Sequence, residues 1–233
     1  MTGVSVIIPV GPDPAYKLYL LDCIKSVVEQ MEENDEILVV DDMALLNSEF
    51  FAAIPVPDGA YLHYVKNEWL LGCAASWNIG VGLARNENCI LMGSDDKLMP
   101  GCLNACKAAI SAQDYDPLGY YNLTCDVNGE RVAAFNNAAM VSKKLWYHMG
   151  GFPITASVGG PDALLISIML VHMPTHLHQL QEGTVFYWCR SGNYQDTLKQ
   201  AALFSHEIVL IRNRETARWA HPGWCDSVQS QVG

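Results

Sequence analysis

The chain has little positive charge. Lys and Arg number 14 against 25 Asp and Glu, and only 17% of the 233 residues are charged. A general polyanion binder carries a basic excess, so broad binding to nucleic acid or to acidic membranes is not expected. Long apolar runs are also missing. The longest, Ala163 to Val171, is interrupted by Ser167 and falls far short of a membrane span. Residues 1–10 have no basic stretch ahead of an apolar one, so a secretory signal is not expected. None of the eight cysteines forms a CxxC pair, and no His or second Cys pair turns Cys102 and Cys106 into a zinc pattern. The reading is buried free thiols in a cytoplasmic protein. Repeats and low-complexity segments are absent. Half of the residues are hydrophobic, which excludes a disordered chain, and the length suffices for a sizeable core.

What is present is alternation. Val4 to Val10 is β-branched and almost continuous, like a strand covered on both faces. After a turn at Gly11 to Pro14, Leu18, Leu21, Ile24, Val28 and Met31 fall at helical spacing over residues 15–31. Residues 36–40 read as a second strand ending in Asp41-Asp42, and residues 61–65 as a third. A helix over 73–85 leads to a strand over 89–92, which ends at Ser94-Asp95-Asp96, and another helix spans 101–112. This order implies an α/β fold with a mostly parallel central sheet and helices on both faces. Ligands bind beyond the carboxyl ends of such strands, so both acidic pairs are expected at one edge.

The second half is less regular. Short strands are expected over 119–141 around an Asn128-Gly129 turn. Ser142 can cap a short helix that stops at Gly150-Gly151. Pro161 suits the first position of a helix running to about residue 172. A strand over 184–188 and an amphipathic helix over 195–215 complete the pattern. No linker-like composition divides the chain, so residues 1–233 are read as one domain with two sub-regions, about 1–100 and 101–233.

An acidic pair at a strand end can simply cap a loop or helix, and that reading stays open for Asp41-Asp42. Adjacent carboxylates also repel each other. A divalent cation relieves that repulsion and usually shares its coordination sphere with substrate phosphates. Two such pairs at one edge suit a nucleotide-diphosphate site.

The residues that carry a family likeness run from 4 to 190. They are Val4 to Val10, the helix segment Ile24-Lys25-Ser26-Val27-Val28-Glu29-Gln30 and the strand Glu36 to Asp42. Asn67, Gly72, Asn78 and Gly80 follow, then Ile90 to Pro100, Ala139 to Leu145 with Gly150-Gly151-Phe152, and Tyr187 to Arg190. In this order they resemble a family 2 glycosyltransferase of the GT-A (Rossmann-like nucleotide-diphospho-sugar transferase) type. The resemblance implies transfer of a sugar from a nucleotide-sugar donor, UDP-linked in the commonest case, with inversion and help from Mn2+ or Mg2+ at a DXD-like motif. It implies that Pro9 and Val10 border the base and ribose, and that Asp42 and Asp41 face the nucleobase or ribose. Asp95 would go to the ribose and the metal, and Asp96 to the metal. Asp162, after the Gly-Gly-Phe segment, would be the catalytic base; the alternative is that it only caps its helix.

The sequence departs from the family pattern at several points. Gly93 stands where an acidic residue is common, Met43-Ala44 replaces Gly-Ser, and Ser76-Trp77 stands in place of a basic residue. Pro161 replaces an acidic neighbour of the base, and Gly192 breaks the late pattern begun by Arg190. A sugar-nucleotide-binding protein without catalysis is therefore the alternative. A nucleotidylyltransferase is disfavoured, because the turn Gly11-Pro12-Asp13-Pro14 lacks a glycine-rich, basic phosphate loop.

His172, His176 and His178 read as a surface turn rather than a metal site, and His148 as a helix-end residue. The basic and aromatic group Arg212, Arg214, Arg218, Trp219, His221 and Trp224 reads as a helix end packed on its own domain or on a second copy, with an acceptor site as the minority reading. The acceptor hydroxyl could belong to a glycan, a lipid-linked sugar or a protein. The chain is short, which leaves room for a partner protein or a homo-oligomer in acceptor binding.

Overall fold

The computed structural model of the protein describes residues 2–127, 130–132, 138–152 and 161–186. The expected helix over 195–215, the C-terminal basic and aromatic group, and Tyr187 to Arg190 lie outside the described residues, as does the Asn128-Gly129 turn.

The first half alternates as expected: β1 (Val4–Val10), α1 (Pro14–Val28), β2 (Glu36–Asp41), α2 (Ser48–Ala52), β3 (Tyr61–Lys66), α3 (Cys73–Leu83) and β4 (Asn88–Leu91). Then come β5 (Lys97–Leu98), α4 (Cys102–Ser111), β6 (Tyr120–Val127), β7 (Glu130–Val132), β8 (Ala139–Ser142), α5 (Lys143–Met149), α6 (Pro161–His172), a 3-10 turn (Pro174–His176) and β9 (Leu177–Phe186). α2, β5 and the 3-10 turn are too short to leave a periodic signal in the sequence.

One sheet runs through both halves in the order β3-β2-β1-β4-β8-β6-β9-β5, with β7 on β6. β1, β2, β3 and β4 are mutually parallel, with Val10 opposite Asp41 and Ile7 opposite Leu91. β8 joins β4 antiparallel, so the second half extends the sheet of the first. β6 lies antiparallel to β8 and parallel to β9, and β7 pairs back on β6 as a hairpin.

Every residue of β1 and β2 is buried, which is why these strands read as unbroken apolar runs. Alternate side chains serve opposite faces. Val6, Ile8 and Val10 pack with Leu20, Cys23, Ile24 and Val27 of α1 and with Cys102, Leu103 and Cys106 of α4. On the other face Ile7, Leu38 and Val40 pack with Trp77 and Val81 of α3, Leu145 of α5, and Leu165 and Met169 of α6. Helices thus cover both faces. Of the stripe expected for the first helical segment, Ile24 and Met31 are buried and Val28 packs on the core, whereas Leu18 is 76% exposed and Leu20 and Cys23 join the core. α3 approaches β1 closely at Gly80, where a Cβ would stand 2.2 Å from Ile7 Cγ2. Cys23, Cys73, Cys89, Cys102 and Cys106 are free, all but Cys73 buried, and burial raises the Cys89 thiol to about 12. Among the described residues no helix is long and apolar enough to cross a membrane.

Candidate active site

The parallel order β2-β1-β4 puts Pro9 and Val10 between the two acidic pairs at the carboxyl edge of the sheet. Asp41 and Asp42 close β2 on one side of β1. On the other side, Asp95 and Asp96 follow β4.

The carboxylate of Asp41 is fully buried and shapes the loop after β2. Oδ1 accepts from the Ala44 amide at 2.6 Å, and Oδ2 accepts from the Leu46 amide at 2.8 Å and the Tyr64 hydroxyl at 2.7 Å. Burial and this hydrogen bond raise the Tyr64 phenol above its ordinary range. Asp42 holds the next loop along. Oδ1 accepts from Asn67 Nδ2 at 3.0 Å and the Leu71 amide at 2.8 Å, and Oδ2 accepts from the Gly72 amide at 2.7 Å. Asn67 also donates to Ser76 Oγ at 3.1 Å. The two carboxylates therefore rigidify the loops that rim this edge. Those loops and the end of β3 rim an open surface concavity of about 400 Å³ lined by Met43, Leu45, Lys66, Asn67 and Glu68.

The Asp95-Asp96 loop folds back on Gly93. The Gly93 amide donates to Asp96 Oδ2 at 3.2 Å. A Cβ at Gly93 would stand 2.8 Å from Asp96 Oδ2 and 3.0 Å from Asp95 Oδ1, so both carboxylates converge on the space that a side chain would fill. Cys23 lies beneath them, its thiol raised first by burial and then by the charges of Asp96 and Asp95. β5 ties the far end of this loop to β9. Ser26 Oγ accepts from the Leu98 amide at 3.0 Å, Gln30 Nε2 donates to the Leu98 carbonyl at 3.2 Å, and Lys97 pairs with Asp22 at 2.8 Å. Sequence reading assigned no role to Ser26 and Gln30, although both stand in the helix segment that carries the family likeness.

The acceptor-side segment is also placed by side chains. Ser142 Oγ accepts from the Leu145 amide at 2.9 Å and caps α5, and Gly150 ends that helix in the left-handed region. Asn78 then grips Phe152 and Trp146, through hydrogen bonds of 2.7 and 2.9 Å to its Oδ1 and of 3.0 Å from its Nδ2. Asp162 is the second residue of α6; its side chain lies outside what is described.

The histidines lie in and just after the 3-10 turn at the surface, and they share a partner that the sequence did not name: His176 Nδ1 and His178 Nε2 lie 2.7 and 3.0 Å from Asp116 Oδ2, so the two rings converge on one carboxylate. The bend from the 3-10 turn into β9 aims both rings the same way. Among the described residues no three His, Cys, Asp or Glu side chains form a metal cluster.

Residues 5–119 match the family model described as glycosyl transferase family 2. A glycosyltransferase, GlyG, of Streptococcus pneumoniae is 27% identical over 122 residues, which cover 51% of this chain and 39% of that protein. Among solved structures, GalNAc-T7 with UDP, GalNAc and Mn2+ superposes with a TM-score of 0.65 at 15% identity, over 82% of this chain and 44% of that one. Staphylococcus aureus TarS (residues 1–349) in complex with UDP-GlcNAc gives 0.65 at 16% identity, over 84% and 61%. The chain thus spans about two fifths of the curated relative it matches, and the solved structures establish a shared GT-A fold.

Proposed function

From membership of glycosyl transferase family 2, carried by residues 5–119, we propose that this chain moves a sugar from a nucleotide-sugar donor, UDP-linked, onto an acceptor hydroxyl with inversion. The observation that carries the reading is the pair of acidic loops flanking the end of β1. In this reading residues up to about 100 hold the donor and the remainder holds the acceptor. Pro9 and Val10 border the nucleoside. Asp41 and Asp42 act through the loops they hold, and Asp95 reaches the ribose.

The convergence of Asp95 Oδ1 and Asp96 Oδ2 on the open side of Gly93 fits a hard divalent cation, Mn2+ or Mg2+. Asp96 would hold it, with Asp95 beside it, and further ligands would come from the donor diphosphate. Such a cation neutralises charge on the departing diphosphate. Asp162 takes the proton of the acceptor hydroxyl as that oxygen bonds to the anomeric carbon. The bond from that carbon to the diphosphate oxygen breaks, and the nucleoside diphosphate leaves with the electron pair.

Calorimetric titration with UDP, GDP and dTDP, with and without Mn2+, tests the donor site. Binding of one nucleotide strengthened by metal, and lost in Asp96→Asn, is expected. Asp162→Asn should bind the donor normally and lose turnover. Binding without turnover by the wild-type chain would instead favour the non-catalytic alternative.

A further inference from the structure

We propose that Met43 selects the nucleobase of the donor, and that this chain accepts backbone strain to keep a long side chain at that position. The inference rests on the donor reading above. It starts from the loop after β2. Asp41 accepts from the amides of Ala44 and Leu46 and draws the loop into a tight coil. Within that coil Met43 has φ 67° and Leu45 has φ 57°. This left-handed region is costly for side chains with a Cβ and free for glycine. Neither residue belongs to the Asn and Asp minority that tolerates it. Strain of this kind persists where the surroundings impose it, and it clusters at ligand sites.

The two strained side chains share a destination: both line the concavity of about 400 Å³ completed by Lys66, Asn67 and Glu68. Its walls are a thioether and an isobutyl group, and its rim carries an amide, an ammonium and a carboxylate. That is the chemistry of a flat heteroaromatic ring with a hydrogen-bonding edge. Asn67 is held in place by its bonds to Asp42 and Ser76, and Tyr64 braces Asp41 from β3. One lining residue, Asn67, is thus fixed by hydrogen bonds, and Met43 stands beside it in the same open concavity. Glycine at position 43 would relieve the strain and remove the wall.

The test uses two variants. Met43→Gly removes both strain and side chain, whereas Met43→Ala removes the side chain and keeps the strained backbone. Binding of UDP, GDP and dTDP with Mn2+ is measured by calorimetry on wild type and both variants, with melting temperature alongside. Both variants should lose about tenfold in affinity for the preferred nucleotide, the worth of partial apolar burial of one side chain. The gap to the second-best nucleotide should narrow in both. Met43→Gly should melt at or above the wild type, and Met43→Ala should melt below Met43→Gly. Affinity and selectivity within twofold of wild type in both variants would overturn the inference and leave the donor reading standing. A wild-type chain that binds no nucleotide would overturn both.

Discussion

Asn78 holds the peptide of Phe152 from both sides. Its Oδ1 accepts from the Phe152 amide at 2.7 Å, and its Nδ2 donates to the Phe152 carbonyl at 3.0 Å. The same Oδ1 accepts from Trp146 Nε1 at 2.9 Å. Helix α3, which packs under β1, is thereby fastened to the Gly150-Gly151-Phe152 segment on the acceptor side. Asn78→Ala strands three partly buried polar groups, at a cost of about 1–3 kcal/mol. We expect a lower melting temperature and a raised acceptor KM with donor affinity kept. A variant with wild-type melting and wild-type acceptor KM would refute this linkage.

Two glycines of α3 should respond in opposite directions to the same substitution. At Gly80 a Cβ would stand 2.2 Å from Ile7 Cγ2, so Gly80→Ala forces helix and strand apart and costs about 1–3 kcal/mol. At Gly82 the nearest atom is Trp146 Cη2 at 3.8 Å, so alanine fits and gains helix propensity, up to about 1 kcal/mol. Thermal unfolding of the two variants decides the matter. Equal shifts would contradict the packing described for α3.

Gly93→Ala should cost little stability, because the atoms it meets are the ends of two flexible carboxylates. It should instead push Asp95 and Asp96 out of their shared space. The expected result is a melting temperature near wild type with Mn2+-dependent nucleotide affinity reduced. Unchanged metal dependence would remove Gly93 from the site.

Asp116 links fold stability to pH. Burial alone would raise its carboxyl, but the hydrogen bonds with His178 and His176 and with the Leu118 amide outweigh it and bring it below 3.8. A carboxyl depressed in the folded state stabilises above its ordinary value, and that contribution is lost as pH falls through the folded value. Asp116→Asn should therefore melt lower than wild type at neutral pH, and the difference should shrink to nothing once the pH is well under 3.8. A gap that persists in strong acid would mean that packing, not charge, is responsible. Tyr121, Tyr115 and His148 surround this group; burial, ahead of the charge of His176, lowers the His148 imidazole, so wild-type behaviour near neutrality includes that ring.

Much of the architecture was legible because strands buried on both faces must be apolar throughout. Val4 to Val10 and Glu36 to Asp41 announced themselves in that way, and the caps Ser142, Gly150 and Pro161 marked helix ends through local backbone chemistry. The gathering of the two acidic pairs at one edge followed from parallel order alone. Periodicity placed Ile24, Val28 and Met31 of the first helical segment at the core but misplaced Leu18, which is exposed, while Leu20 and Cys23 are buried. The partner of His176 and His178 was not legible, because nothing local connects Asp116 to residues about sixty positions away.

The sequence by itself determined the order of strands and helices in the first half, the likeness to a glycosyltransferase family and the sheet edge at which the two acidic pairs meet, since all three depend on residue type and short-range spacing. Tertiary structure alone decided what the carboxylates do. Asp41 and Asp42 look alike in sequence, but one binds its own loop and the other binds the loop before α3. Tertiary contacts also gave Ser26, Gln30 and Asn78 their tasks, because each meets a partner from a distant part of the chain. Long-range hydrogen bonds assign these roles, and their partners are set only when the sheet has closed.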